Sequence, residues 1–180
     1  MEEEISPVKE YLFEYLEKEK IQTKLSMENS TKLTRKIISN CAPKIAEFEG
    51  SSDENLAILA TGVMHYMLTN LLIPSQRKIM VNNVKIDIVV PDRRTLSSKP
   101  QDTIVICISK TLDSQHIQKR LSEIQKIQPE RKNIWVILPK DLNIIEKTFV
   151  ITQESFANIF KELNEFVSSK KFTQFKIFKN

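Results

Sequence analysis

The spacing of apolar residues predicts two amphipathic helices in the first fifty residues. Between Ser6 and Lys20, apolar side chains recur every three or four positions, which places them on one face of a helix. Ser6 followed by Pro7 is a typical helix beginning, because serine is a common N-cap and proline fits the first turn. A second apolar stripe predicts a helix over 29–48. We therefore expect residues 1–50 to form an N-terminal helical extension packed on another surface.

After residue 50 the pattern changes to short apolar runs between helices. The continuous apolar run at 103–109 is typical of a central strand covered on both faces, since neither face is polar. The pair Asn82-Asn83 favours a tight hairpin turn. The order predicts an α/β domain over 51–180, with a mixed central sheet flanked by helices. The predicted elements are a helix over 54–72, strands over 78–81, 84–90 and 103–109, a helix over 114–128, a strand over 133–138, and a helix that begins at Thr152 or Ser155 and ends near 168.

Three further segments have weaker patterns. The polar stretch 91–101 contains two prolines and two serines, which predicts an exposed loop. Residues 149–151 predict a minor strand. The imperfect alternation over 172–178 predicts either a terminal strand or a docking tail.

Composition favours a packed domain and disfavours several classes of protein. Of the 180 residues, 41% are hydrophobic and 28% are charged, which suits a folded core. Only two residues are glycine, so a Gly-rich phosphate loop is not expected. No apolar run reaches the roughly 18 residues that span a bilayer, and the acidic N-terminus does not resemble a secretory signal. We expect a cytoplasmic protein with no membrane partner.

Charge is distributed unevenly along the chain. Residues 1–50 contain 8 basic and 10 acidic residues, whereas residues 51–180 contain 19 basic and 13 acidic ones. A local positive field attracts polyanions without reading their sequence. The alternative is an ordinary lysine-rich surface that is solvated and binds nothing.

The cysteines and histidines do not predict a metal site. Cys41 and Cys107 are far apart in the chain, and neither belongs to a CxxC motif. Cys107 lies inside an apolar run, which predicts a small core residue. His65 and His116 have no partner at metal-ligand spacing.

Two charged residues interrupt or end the most apolar predicted strands. Asp87 lies between Ile86 and Ile88, and Lys110 follows the run that ends at Ser109. A carboxylate in a buried strand is costly unless it is paired or binds a metal. A carboxylate and a lysine at neighbouring strand ends can hold a divalent cation and a scissile phosphate. The simpler alternatives are an edge-strand Asp87 paired across the hairpin, and a Lys110 whose stem packs while its amine reaches water.

The order of elements over 54–138, together with these two residues, resembles the PD-(D/E)xK, or restriction-endonuclease-like, superfamily. Its core runs α-β-β-β-α-β, as predicted here. The stretch 84–90 resembles the family's aspartate strand, and 103–110 resembles its (D/E)xK strand. The helix that begins at Asp53-Glu54 resembles the family's first helix.

The resemblance implies a metal-dependent phosphodiesterase that uses Mg²⁺ or Mn²⁺. Asp87 would be a metal ligand, Glu54 an auxiliary ligand, and Lys110 the catalytic lysine. The chain departs from the family pattern at Ile108, which occupies the position of the second acid. Residues 108 and 110 share a strand face, so Ser109 cannot replace that acid. Asp92 and Asp102 are alternative acids.

The same resemblance implies a nucleic-acid partner, with DNA expected rather than RNA. The basic loop residues Arg93, Arg94 and Lys99 are candidates for phosphate contacts, and so are Lys119 and Arg120 on the following helix. An alternative from a different class is a catalytically inactive interaction or oligomerisation protein on the same fold. In that case the aromatic residues of the N-terminal helices would form a homodimer, through Tyr11, Phe13, Tyr15 and Phe48.

Overall fold

A mixed sheet of five strands lies at the centre of the part of the chain that the computed structural model describes, residues 5–177. Neighbouring strands follow one another in chain order; the first three are antiparallel, and the third, fourth and fifth are parallel. This architecture confirms the predicted α/β class and the predicted mixed sheet. The strands are β1 (Gln76–Val81), β2 (Val84–Val90), β3 (Ile104–Ile108), β4 (Ile134–Leu138) and β5 (Lys147–Val150).

Helices cover both faces of the sheet. They are α1 (Pro7–Lys18), α2 (Ile21–Lys24), α3 (Ser30–Ile45), α4 (Ser52–Asn70), α5 (Arg93–Ser98), α6 (Ser114–Gln125), α7 (Glu154–Ala157) and α8 (Ile159–Ile177), with 3₁₀ turns at Pro100–Asp102 and Arg131–Asn133. Within the described residues, no helix is both long enough and apolar enough to cross a membrane.

The side chains of β3 point alternately into two hydrophobic cores. Ile104, Ile106 and Ile108 contribute to a core with α1, α3, α4, α7 and α8, whereas Val105 and Cys107 contribute to a core with α6. All five residues of β3 are buried, because both faces of the strand are covered. This is why its sequence is apolar throughout rather than alternating.

The N-terminal helices share a core with α4 and the sheet. Val8, Leu12 and Leu16 of α1 are buried in it. The contact between α1 and α4 is close: a methyl group added at Gly62 would lie 2.6 Å from Cδ2 of Leu12. This packing fixes the start of α1 beside α4. Homodimerisation through these helices stays a prediction; of its four aromatic residues, only Phe13 is exposed, at 48%.

Two predictions of local structure are wrong. The predicted loop at 91–101 contains α5, because the Asp92 carboxylate caps this helix by accepting hydrogen bonds from the N–H and Oγ1 of Thr95, at 2.7 and 3.0 Å. Leu96 of α5 is buried against the sheet. Within the predicted terminal strand at 172–178, residues 172–177 are helical instead, since α8 continues to Ile177. Phe178 and the side chains on which the docking-tail alternative for 172–178 depends lie outside the described part.

Candidate functional site

Asp87 lies at the point where backbone pairing between β2 and β3 gives way to a side-chain contact. The pairing covers Ile88, Val89 and Val90 of β2. One residue earlier, Oδ2 of Asp87 accepts a hydrogen bond from the N–H of Ile108 at 2.7 Å. The carboxylate therefore satisfies a backbone donor at the end of β3 that the neighbouring strand leaves unpaired.

Arg120 of α6 makes an ion pair with the same carboxylate oxygen. Its Nη2 donates to Oδ2 of Asp87 at 2.7 Å, and its Nη1 donates to the carbonyl oxygen of Ile108 at 3.3 Å. The side chains of Arg120 and Asp87 are 27% and 33% exposed, so roughly two thirds of each is covered. The three residues form one connected polar group that ties α6 to the middle of β2 and the end of β3.

The structure brings Asp87 and Lys110 to one cleft of about 240 Å³. The cleft lies between the beginning of α1, one face of α4, the middle of β2 and the end of β3. Ile108, at the position of the missing acid, is also in its wall. The lining residues are Ser6 and Lys9 of α1, Ile58, Thr61 and His65 of α4, Lys78 of β1, Asp87, Ile108 and Lys110.

Glu54 and the two alternative acids do not line this cleft. Glu54 is exposed in the first turn of α4, where its N–H donates to Oγ of Ser51, the N-cap of the helix. Asp92 caps α5, and Asp102 pairs with Lys170 at 3.3 Å. Each of these carboxylates has a local structural role or is exposed, so Asp87 is the one carboxylate that the described residues contribute to the cleft lining.

The cleft residues do not fit a Mg²⁺ or Mn²⁺ site. Magnesium takes about six oxygen ligands and is usually bound through one or two carboxylates with water and phosphate. Here Asp87 already binds a guanidinium and a backbone N–H through Oδ2, and Ile108 offers no ligand. Among the described side chains, no group of three or more His, Cys, Asp and Glu residues converges on a metal position. We therefore derive no chemistry through a metal.

His65 is neutral at pH 7 and lies near cationic side chains. Burial, and then the positive charges of Arg77, Lys9 and Lys78, lower the pKa of His65 to about 4. These three cations of α1 and β1 therefore lie close enough to His65 to disfavour its protonation, although burial has the larger effect.

The two cysteines are unsuited to nucleophilic chemistry. Burial raises the pKa of both the Cys41 and the Cys107 thiols to about 12. Both side chains are covered, and Cys107 lies in the core beneath α6, as its apolar surroundings predict.

The other cations singled out from the sequence lie in separate groups. Arg93 and Arg94 flank the start of β1, where the N–H of Arg93 donates to Oε1 of Gln76, and Lys99 is exposed at the end of α5. These residues precede β3 in the chain, whereas Lys110 follows it. The five residues of β3, at roughly 3.4 Å each, place the two groups of cations about 17 Å apart along the strand. Arg120 is bound to Asp87, and Lys119 lies exposed beside it on α6.

Five polar cleft residues were not predicted as site candidates from the sequence: Ser6, Lys9, Thr61, His65 and Lys78. A signal existed for α4, because Ile58, Thr61 and His65 follow Glu54 at intervals of four, three and four residues and so share its helix face. Lys78 lies opposite Asp87 in the β1–β2 register. Lys9 has no sequence signal, because its position depends on how α1 packs against α4.

Comparison with known proteins adds no family assignment. The chain matches no protein-family model, and no curated protein or solved structure is significantly similar to it. The relationship to restriction-endonuclease-like proteins therefore remains a hypothesis, which rests on the order of elements and on the shared cleft of Asp87 and Lys110.

Proposed function

We propose that this protein is a nucleic-acid-binding domain with a restriction-endonuclease-like core, in which an ion pair replaces the metal-dependent catalytic centre. The elements α4, β1, β2, β3, α6 and β4 follow the α-β-β-β-α-β order of that core. In that comparison, Asp87 and Lys110 occupy the aspartate and lysine positions and line one cleft. The family relationship is part of the proposal.

The observation that carries the proposal is the charge of the cleft. Lys9, Lys78 and Lys110 line it, and among the described residues of the lining the one carboxylate, Asp87, is paired with Arg120. Lys9 and Lys110 thus place two ammonium groups beside a carboxylate whose charge Arg120 already offsets. Lysine binds phosphate as a point charge with three donors, so the cleft suits an oxyanion of a nucleic-acid backbone.

The same contacts argue for binding without cleavage. Hydrolysis of a phosphodiester by this family needs carboxylates that hold a metal, and the metal generates the attacking hydroxide. The Arg120 guanidinium already pairs with Oδ2 of Asp87, and Ile108 supplies no second carboxylate. We infer that the positive charge of a metal has been replaced by that of Arg120, which is fixed to the protein.

The proposal is tested by binding and cleavage assays on the full chain. We expect fluorescence anisotropy to detect binding of short DNA at low salt in EDTA, with similar affinity when Mg²⁺ replaces EDTA at equal ionic strength. Two phosphate contacts, by Lys9 and Lys110, give a slope of about −1.5 to −2 in a plot of log K against log salt. We expect no shortened product on gels with Mg²⁺ or Mn²⁺.

Two outcomes would overturn this function. One is the absence of binding to either DNA or RNA at low salt, which would favour the interaction-protein alternative. The other is metal-dependent cleavage that disappears in the Asp87→Ala variant, which would restore the catalytic interpretation of this residue. Preferential binding of RNA of the same sequence would replace DNA as the partner and leave the cleft as the site.

A further inference from the structure

We propose that a second hollow beside the cleft holds one unpaired base of a single-stranded nucleic acid and selects a base that carries an amino group. This inference rests on the proposed function and adds to it the strandedness and the preferred base of the ligand. The hollow lies between the β1–β2 hairpin and α6, and we call it the α6 hollow. Its lining includes Met80, Asn83 and Lys85 of the hairpin and His116, Lys119 and Glu123 of α6.

The α6 hollow adjoins the cleft at the Asp87–Arg120 ion pair. Asp87 lines the cleft, Arg120 lines the α6 hollow, and Nη2 of Arg120 lies 2.7 Å from Oδ2 of Asp87. The two spaces therefore meet at a pair of side chains whose charges offset each other. A strand whose phosphate binds Lys9 and Lys110 can extend across this pair into the α6 hollow without crossing an uncompensated carboxylate.

The charges in the α6 hollow suit a base better than a second phosphate. Glu123 is exposed in its lining, and an ionised carboxylate only accepts hydrogen bonds. It repels a phosphate oxygen and binds the N–H groups of a base edge. Among the described residues, none hydrogen-bonds to this carboxylate, so its oxygens are available to a ligand. Lys85 and Lys119 line the same hollow, so the hollow as a whole does not repel a polyanion.

Two side chains of the lining are suited to contact the flat face of a base. Met80 is 47% exposed on the edge strand β1 and lies opposite Lys85 in the β1–β2 register. Its thioether is polarisable and makes favourable contacts with aromatic rings. The imidazole of His116 is exposed, and histidine is among the side chains on which unpaired bases stack. The α6 hollow therefore offers surfaces for stacking as well as a hydrogen-bond acceptor.

The α6 hollow is large enough for a base, and a base can enter it only when it is unpaired. Its volume is about 360 Å³, which lies within the range of about 300–1,000 Å³ that is typical of small-molecule sites. In a duplex, the faces of a base are stacked and its Watson–Crick edge is occupied by the opposite strand. Sequence-specific recognition of unpaired bases uses these same faces and edges. The ligand that fits the hollow is therefore single-stranded.

The carboxylate of Glu123 determines which base is preferred. Guanine presents its N1–H and its amino group side by side, so both can donate to one carboxylate. Cytosine and adenine present an amino group, and carboxylate side chains accept from the cytosine amino group in protein–DNA complexes. Thymine has a single N–H between two carbonyl oxygens, which would face the carboxylate unfavourably. Asn83, at the hairpin turn, adds an amide that can donate to the guanine carbonyl.

The test compares a short oligo-dT with the same oligomer carrying one central dG, by fluorescence anisotropy with the full chain in EDTA. We expect the dG oligomer to bind about fivefold more tightly or better, which is the lower end of the discrimination that a bidentate contact to a base gives. Glu123→Gln should bring the two affinities close together, because its amide can also donate to a thymine carbonyl. Glu165→Gln removes an exposed carboxylate of α8 outside the hollow lining and should keep the preference.

Two further measurements locate the base and its pairing state. The amide chemical shifts of the two oligomer complexes should differ most at Asn83, His116 and Glu123, which belong to the α6 hollow. When each oligomer is annealed to its complement, the preference for dG should disappear, because pairing occupies the edge that Glu123 contacts. A preference that persists in the duplexes would overturn recognition of an unpaired base.

The remaining outcomes separate this inference from the proposed function. Equal binding of oligo-dT and the dG oligomer would overturn base selection and leave nucleic-acid binding in place. A dG preference that survives Glu123→Gln, or shift differences that are largest away from the α6 hollow, would overturn the inference as well. If neither oligomer binds at low salt, the proposed function itself is wrong.

Discussion

Reversing the charge of Lys9 and Lys110 together is expected to weaken binding of a short single-stranded DNA by about 100-fold or more at low salt. A hydrogen bond to a charged group contributes about 1.5–3 kcal/mol, and 1.4 kcal/mol corresponds to a factor of ten in affinity. The double variant Lys9→Glu/Lys110→Glu removes two such contacts and adds two negative charges to the cleft wall. Fluorescence anisotropy in EDTA measures the effect.

The control for this experiment changes the same type of residue outside the cleft. Lys161→Glu lies in the first turn of α8, where a carboxylate is compatible with the helix dipole, and its side chain is exposed. We expect less than a threefold change for this variant. Equal losses in both proteins would mean that net charge alone governs binding, and no loss in the double variant would exclude the cleft as the site.

The second large effect concerns the Asp87–Arg120 ion pair. Asp87→Ala is expected to lower the free energy of unfolding by about 2 kcal/mol, because it leaves the Arg120 guanidinium and the Ile108 N–H without their acceptor. Both side chains are about one third exposed, so water compensates part of the loss and the effect stays below that of a fully buried pair. Urea denaturation in EDTA measures this change.

A double-mutant cycle isolates the pair itself. Asp87→Ala, Arg120→Ala and the double variant should give a coupling of about 1–2 kcal/mol, since the residues are in direct contact. Lys119→Ala, the neighbouring exposed residue on α6, is the control and should show no coupling with Asp87→Ala. A metal-ligand role for Asp87 predicts the opposite: without metal, removing the carboxylate would leave stability unchanged or increase it, and the cycle would be additive.

The strands were predictable because local composition determined them. Residues 84–90 were predicted as a strand and β2 has these bounds, since Val and Ile fill the segment and Asn82-Asn83 forms the preceding turn with positive φ at both positions. The run around Cys107 was predictable as a central strand because every residue in it is apolar. The sequence also contains a signal for the start of α5. Aspartate is a preferred N-cap residue, and Asp92 accepts a hydrogen bond from the N–H of Thr95, three residues later.

The site was only partly predictable, because its decisive contacts join distant parts of the chain. Asp87 and Lys110 stood out as charges against apolar strands, and both line the cleft. The pairing of Asp87 with Arg120 spans 33 positions and depends on the rotation of α6 over the sheet. Arg120 was predicted as a phosphate contact from its charge. The partner of its side chain was not predictable, because the periodicity of α6 does not show that Arg120 contacts Asp87.

The central proposal is that the cleft between α1, α4, the middle of β2 and the end of β3 binds nucleic acid without a metal. Its most direct test is amide chemical-shift mapping of the full chain with a single-stranded DNA in EDTA. We expect the largest shifts at Lys9, Thr61, His65 and Lys110. Shifts that are largest on α5 around Arg93, with the cleft residues unchanged, would contradict the account.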